Sequence, residues 1–284
     1  MGISEEIKVI AVIGAGKIGS AIIKGIKECY SDIHIIATGR RDTTLENAKS
    51  LGAEVTRNNK EAIAKAGLVI LSVKPHHFPV IIKEVGRDVW SGKIVISVMA
   101  GVKLNTLSSV LLGAKIFRAM TNINASVKKA STAISTLNGN DHEKRVVEEL
   151  FKCLGTVYWV PEEYIDIWTA LAGSGPAFIS EIVDALVLGA VASGMPRDIA
   201  YKAILDVLEG TAILLKNKNV HPAEIRDEVT TPGGTTIKGL AVMESRGIKS
   251  ALIETIEAAY KRSFEIGNDI DLYIRKELNM YPHK

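Results

Sequence analysis

Residues 7–22 read IKVIAVIGAGKIGSAI: a short apolar run at 7–13, then Gly14-Ala15-Gly16-Lys17-Ile18-Gly19, then the opening of an amphipathic helix. G-x-G-x-x-G alone is a weak signal, because glycines are common. Between a strand and a helix, at the head of a chain, it constrains the fold sharply. Gly14 permits the tight turn, Gly16 lets the backbone approach a pyrophosphate, and Gly19 lets the helix pack closely on the strand. The helix start adds free N–H groups and the positive end of its dipole. A glycine-rich turn without a ligand is the lesser reading.

The chain then repeats this unit. Branched apolar runs at 33–37, 68–73 and 93–99 lack polar alternation, as strands buried on both faces of a parallel sheet do. Helical patterns lie between them: Ile18, Ala21, Ile22 and Ile26, then Leu45, Ala48 and Leu51. Further strands are expected at 115–119, 132–136 and 156–160, with a helix through Val146, Val147, Leu150 and Phe151 between the last two. After Pro161 apolar residues recur at helical spacing, with breaks at Gly194-Met195-Pro196, near Asn217–Asn219 and at Pro232-Gly233-Gly234. The fold class is therefore α/β: a Rossmann-type doubly wound parallel sheet in residues 1–161, then an all-α domain in 162–284. The length of 284 residues suits two domains at roughly 150 each.

Composition excludes several classes. A net charge of +3 without long single-sign runs, and aromatics at 5%, argue against nucleic acid as a partner. Cys29 and Cys153 form no C-x-x-C, and the six histidines show no H-x-x-x-H spacing, so neither a disulfide framework nor a metal site is expected. The N-terminus lacks a basic leader pattern. The best apolar run, between Asp166 and Glu181, reads as too short for a membrane span and contains Gly-Ser-Gly-Pro. A cytoplasmic protein without membrane attachment is the expectation.

The end of the second strand selects the cofactor. An NAD site places a carboxylate there; this chain reads Ala37-Thr38-Gly39-Arg40-Arg41. Guanidinium groups bind a 2′-phosphate bidentately, so NADP(H) is preferred with NAD(H) possible. Asp42 is read as starting or capping the next helix. Ser72-Val73-Lys74-Pro75 and Val98-Met99-Ala100-Gly101 fall at the carboxyl edge of the sheet, where such folds bind ligands.

A second glycine pair stands at Thr230-Thr231-Pro232-Gly233-Gly234-Thr235-Thr236, opening a helix that continues Ile237, Leu240, Ala241 and Met243. Exposed amides, a helix dipole and threonine hydroxyls suit a small carboxylate. An ordinary capped helix start is the competing reading.

This segment closely resembles the hallmark motif of pyrroline-5-carboxylate reductases. The likeness continues through Ala172-Gly173-Ser174-Gly175-Pro176-Ala177-Phe178, Ser72 to Pro75, Ala100-Gly101 and Arg118, in order along nearly the whole chain. The resemblance implies dimers with interlocking helical domains that assemble further, commonly to decamers. It implies a cofactor loop over Ile13, Gly14, Ala15, Gly16, Lys17 and Ile18. Asn59 and Ser72–Pro75 would line the nucleotide site, with Val98, Met99 and Ala100 near the nicotinamide. The Thr231–Thr236 loop would hold the substrate, contributed by the partner subunit. Two positions depart from the family pattern: Thr121 stands where proline is usual, and Phe178 where tyrosine is. The tail beyond Asn268 is given no catalytic role.

The resemblance thus implies reduction of Δ1-pyrroline-5-carboxylate to L-proline by NADPH. A protonated imine is already electrophilic, so orientation and water exclusion are the main demands. Thr236 is assigned as the donor near the reacting end of the substrate; Gly233, Gly234 and Thr235 supply amides for its carboxylate, beside Thr231. A hydroxy-acid dehydrogenase needs a Lys or His for the alcohol proton, and the segment GSGPAFISEIVDAL from Gly173 has neither. That dehydrogenase, another NADP-dependent imine dehydrogenase and a non-catalytic nucleotide sensor are the alternatives.

Overall fold

In this computed structural model, which describes residues 3–280, helix and strand alternate from the start. The order opens α1 (Ile3–Glu6), β1 (Val9–Ile13), α2 (Lys17–Cys29), β2 (His34–Thr38), α3 (Asp42–Ser50), β3 (Glu54–Thr56). It continues α4 (Asn59–Lys65), β4 (Leu68–Leu71), α5 (Phe78–Val85), β5 (Ile94–Ser97), α6 (Leu104–Val110), β6 (Lys115–Met120). Then come β7 (Ala130–Thr136), α7 (Asp141–Lys152), β8 (Gly155–Trp159) and α8 (Tyr164–Trp168). The rest is helical: α9 (Gly175–Ala192), α10 (Arg197–Lys218), α11 (Pro222–Glu228), α12 (Thr235–Ser245) and α13 (Ile248–Glu277). Of the tail, Tyr281 to Lys284 lie outside the described residues.

The eight strands form one sheet in the order β3-β2-β1-β4-β5-β6-β7-β8. Its central strands are buried on both sides, and side chains alternate between two apolar layers. Ile10, Val12, Ile35, Ala37, Leu68 and Ile70 enter one layer with the inner faces of α2 and α7. Ala11, Ile13, Ile36, Val69 and Leu71 enter the other, with α4, α5 and α6. Burial on both faces explains the absence of polar alternation in these runs. Each fully buried Ile or Leu contributes about 1.5–3 kcal/mol by leaving water.

Three features differ from the expectations. β3 was not expected: it is a short edge strand with Val55 as its one branched apolar residue, paired to β2 through Thr38 and Thr56. The sheet is parallel throughout except that β7 runs antiparallel to β6. The connection from Met120 to Ala130 is too short for a crossover, which needs a dozen or more residues. Lastly, the helical run Tyr164–Ala192 is, by length and composition, long and apolar enough to cross a membrane, its most apolar 18 residues having a mean hydropathy of 1.6. Reading this stretch as too short was wrong, because a π turn at Thr169–Gly173 carries the helix past Gly-Ser-Gly-Pro.

Contacts divide the chain into two units, Met1–Ser174 with Ala259–Lys284, and Gly175–Ala258. This contact division groups α8 and the end of α13 with the sheet, where the sequence reading divides the chain into 1–161 and 162–284. Ile165 on α8 packs with Met120 and Ala133 of the sheet, and Ile274 near the end of α13 enters the second apolar layer. Within the helical unit, Val183 and Val187 on α9 meet Ala200 on α10. Much of its apolar surface stays exposed, including Ile179, Leu186, Val207, Ile213, Val242 and Ile253.

Three positions marked out in the sequence, Thr121, Cys29 and Cys153, find local accommodation. Thr121 is buried, and its hydroxyl oxygen accepts from Thr132 on β7 at 2.9 Å. Cys29 is exposed and Cys153 buried, both as free thiols; burial first, then Cys29 beside it, push the Cys153 thiol up.

Candidate functional site

The glycine loop sits at the carboxyl end of β1 and is held from two neighbouring strands. Gly14 takes φ +96°, and its N–H donates to the Thr38 hydroxyl at 3.2 Å, from the end of β2. Ser72, just past β4, donates its hydroxyl to the Gly14 carbonyl at 2.5 Å. A side chain at Gly14 would meet Val73 at 2.6 Å, and one at Gly19 would meet Ser72 at 2.8 Å, so both glycines are required by packing. Gly16 differs: a Cβ there meets nothing within 4 Å. It caps α2 with no side-chain hydrogen bond, leaving the first-turn N–H groups of Lys17, Ile18 and Gly19 without a side-chain cap. Open space before an uncapped, thirteen-residue helix fits a pyrophosphate. Ile13 and Ala15 are buried beneath the turn.

At the end of β2 the structure brings more cations together than the sequence indicated. Arg40 is exposed, and its Nη2 lies 2.8 Å from Nε2 of His77. Arg41 is the N-cap of α3 and Asp42 its first residue, as expected. Arg57 is new: from just beyond β3 its guanidinium donates to the Arg40 carbonyl and to the Asp42 carboxylate. Asp42 is thus paired with a third arginine rather than standing alone beside Arg40 and Arg41. Burial, then His76, Arg40 and Lys74, hold the His77 imidazole below its ordinary value. No motif pointed to Arg57 or His77. Arg57 arrives by the pairing of β3 with β2, and His77 by the turn after Lys74-Pro75.

The remaining residues expected from the sequence to bind the cofactor follow β3, β4 and β5. Val73 lies against Gly14, Lys74 is exposed, and Pro75 opens a 3₁₀ turn leading into α5. The Val98 N–H donates to the Leu71 carbonyl at 3.0 Å, aligning the segment after β5 with the one after β4. Met99 is buried, Val98 half-buried and Ala100 exposed. Asn59 begins α4, and its amide donates to Glu84 on α5 at 2.9 Å.

Arg118 is a structural hub. Buried on β6, it pairs with Glu162 at 3.0 Å and Asp166 at 3.1 Å. Glu162 also accepts the Leu104 N–H at 2.7 Å, fixing the start of α6.

Within the helical unit, the second glycine pair forms another uncapped helix start. Gly233 takes φ +69°, and Gly234 caps α12 with no side-chain hydrogen bond. The Gly234 N–H donates to the Thr231 carbonyl at 3.1 Å, and a side chain at Gly234 would strike the Thr231 hydroxyl. Thr235 and Thr236 are the first two residues of the helix; Thr235 is exposed and Thr236 half-buried. An ordinary start would spend a threonine on capping. This one leaves its first-turn amides without a side-chain cap, an arrangement suited to an anion.

Residues 162–266 match the family described as pyrroline-5-carboxylate reductase dimerisation, and residues 9–101 match that described as NADP oxidoreductase, coenzyme F420-dependent. The chain is similar to a pyrroline-5-carboxylate reductase of Synechocystis sp., 36% identical over 264 residues covering 91% of this chain and 98% of that one. It is similar to one of Methanosarcina acetivorans, 35% identical over 263 residues covering 91% and 97%. Among solved structures, a 1-pyrroline-5-carboxylate reductase from Streptococcus pyogenes superposes with a TM-score of 0.83 at 29% identity, covering 90% of this chain and 98% of that one.

Proposed function

The chain belongs to the pyrroline-5-carboxylate reductase family, and from that membership we infer that it reduces Δ1-pyrroline-5-carboxylate to L-proline with NADPH. It is an oxidoreductase acting on CH–NH groups. The observation that carries the reading is the pair of uncapped helix starts, at Gly16 and at Gly234. The first suits a pyrophosphate and the second a carboxylate, and a reductase of this kind needs both.

NADPH, when bound, supplies the hydride that reduces the imine carbon, while the ring nitrogen ends protonated. The residues of this chain bind and orient. The first-turn amides of α2 and the Gly14–Gly19 loop hold the pyrophosphate. Arg40 and Arg41, joined by Arg57, hold the 2′-phosphate and favour NADPH over NADH. Ser72–Pro75 and Asn59 line the nucleotide site, and Val98–Ala100 face the nicotinamide. The amides of Gly233, Gly234 and Thr235 bind the substrate carboxylate, and Thr236 donates a hydrogen bond near the reacting nitrogen. This loop acts from the partner subunit of a dimer, and such dimers assemble further, as in a decamer. A cytoplasmic setting is expected.

NADPH oxidation with racemic pyrroline-5-carboxylate, run against a panel of 3-hydroxy acids with NADP, tests this reading. Turnover of the imine alone supports it. Oxidation of a hydroxy acid, with the imine inert, overturns it.

A further inference from the structure

The segment after β5 makes few bonds of its own, yet it is fixed from an unexpected quarter. One face of α13 runs along it: Gly267, Ile270, Asp271, Ile274 and Arg275 share the spacing of a single helical face. Gly101 takes φ +75°, and a Cβ there would stand 2.9 Å from the Gly267 Cα and 3.2 Å from the Ile270 side chain. Lys103 donates to the Asn268 side chain at 2.8 Å. Ile274 is fully buried in the layer that holds Met99, Val102, Leu104 and Leu107.

At the centre lies a carboxylate that the reaction does not use. Asp271 is 9% exposed and Thr106, on α6, not at all. The Thr106 hydroxyl donates to one Asp271 oxygen. Arg275 donates Nε to the other at 2.7 Å, and Nη2 to the Thr106 oxygen at 3.0 Å. A buried carboxylate carries a desolvation cost that an apolar contact avoids, so simple adhesion of α13 does not call for one. What the triad adds is direction: three oriented hydrogen bonds set where α6 begins relative to α13, and Gly101, three residues before α6, lies against α13.

We propose that Asp271 is a positioning residue for hydride transfer, fixing the Val98–Gly101 segment through Thr106 and thereby the pose of the nicotinamide against it. The proposal rests on the reading of Val98–Ala100 as nicotinamide-facing. It gives a role to the stretch beyond Asn268, which the sequence left without one.

The test uses the full-length protein with three variants: Thr106→Val, which removes one hydroxyl at nearly constant shape, Thr106→Ser, which restores it, and Asp271→Asn. NADPH affinity and the fluorescence lifetime of the bound nicotinamide are read first, without substrate. Kd is expected to hold, since the adenosine half is gripped elsewhere, while the lifetime of Thr106→Val and Asp271→Asn shifts toward that of free NADPH. With pyrroline-5-carboxylate, kcat falls about tenfold to a hundredfold with KM for NADPH unmoved, as a small misplacement of reacting atoms costs. The deuterium isotope effect from C4-deuterated NADPH rises, and Thr106→Ser recovers both. An unchanged lifetime in Thr106→Val overturns the proposal, as does a Kd that weakens in step with kcat. If the lifetime shifts but no form of the protein reduces the imine, the positioning role stands and the assigned reaction fails. Should Asp271→Asn fold poorly, Thr106→Val and Asn268→Ala carry the same readout.

Discussion

Arg57 reaches across from the end of β3 to the Asp42 carboxylate at the start of α3, and its other arm takes the Arg40 carbonyl. On the proposed reading, this contact pairs the acidic residue that would otherwise oppose a 2′-phosphate held by Arg40 and Arg41. Arg40→Ser with Arg41→Ser should raise the KM for NADPH far more than that for NADH. Charge-assisted bonds contribute about 1.5–3 kcal/mol each, so the loss is roughly tenfold to a hundredfold or more. Arg57→Leu alone should also weaken NADPH selectively, by freeing Asp42 to repel the phosphate. Steady-state kinetics with both cofactors checks it; a double variant that keeps its NADPH preference shows that the phosphate is held elsewhere.

The proximity of His77 to Arg40 sets a pH dependence. The imidazole stands below its ordinary value because burial, then His76, Arg40 and Lys74, disfavour its charge. A phosphate dianion beside Arg40 reverses that and draws a proton onto His77. Binding NADPH then takes up a proton, so its affinity should rise as pH falls toward the ordinary imidazole value of about 6.5 and go on rising just below it. Below about 6 the phosphate itself protonates and the gain is lost. NADH affinity should stay flat over the same range. Titrations at several pH values decide it: His77→Ala should flatten the NADPH curve, and a wild-type curve already flat removes His77 from the site.

The glycine loop, the helical half and the second glycine pair were legible because each rests on local chemistry. A left-handed turn at Gly14 or Gly233 needs glycine whatever the rest of the chain does. Arg57, His77 and the Asp271–Thr106 contact were not legible, because each depends on which elements become neighbours. The β2–β3 pairing delivers Arg57, and β3 has almost no apolar signature. The periodicity of α13 announces an amphipathic helix but not that its last turns return to the sheet. The antiparallel turn of β7 is dictated by a connection length, which a count of strands alone does not reveal.

Thr236→Ala should fold and bind NADPH as the parent does, because the amides at the start of α12 remain. One donor aimed at the reacting end of the substrate is lost. Donors facing developing charge contribute about 2.7–4 kcal/mol, but here charge on nitrogen is being neutralised, so roughly tenfold to a hundredfold in kcat/KM is expected. Thr235→Ala, at an exposed position, should lose less. Equal effects of the two, or none, would remove the role given to the Thr236 hydroxyl.

The helical unit leaves large apolar side chains on its surface, Val207 at 58% and Ile179 at 50% exposure among them. A monomer rarely tolerates so much, and the matching family is one of dimerisation. Sedimentation equilibrium at micromolar concentration should find a dimer or a larger even-numbered assembly. A stable monomer that still turns over would contradict both the dimer and a substrate loop donated by the partner.

The central claim is hydride transfer to a cyclic imine. It is tested most directly by incubating the protein with pyrroline-5-carboxylate and NADPH deuterated at both C4 positions, then locating the label in the product. L-proline carrying one deuterium on the ring carbon beside nitrogen, the former imine carbon, is the expected result. Proline without label, or no proline at all while the protein oxidises a hydroxy acid with NADP, would contradict it.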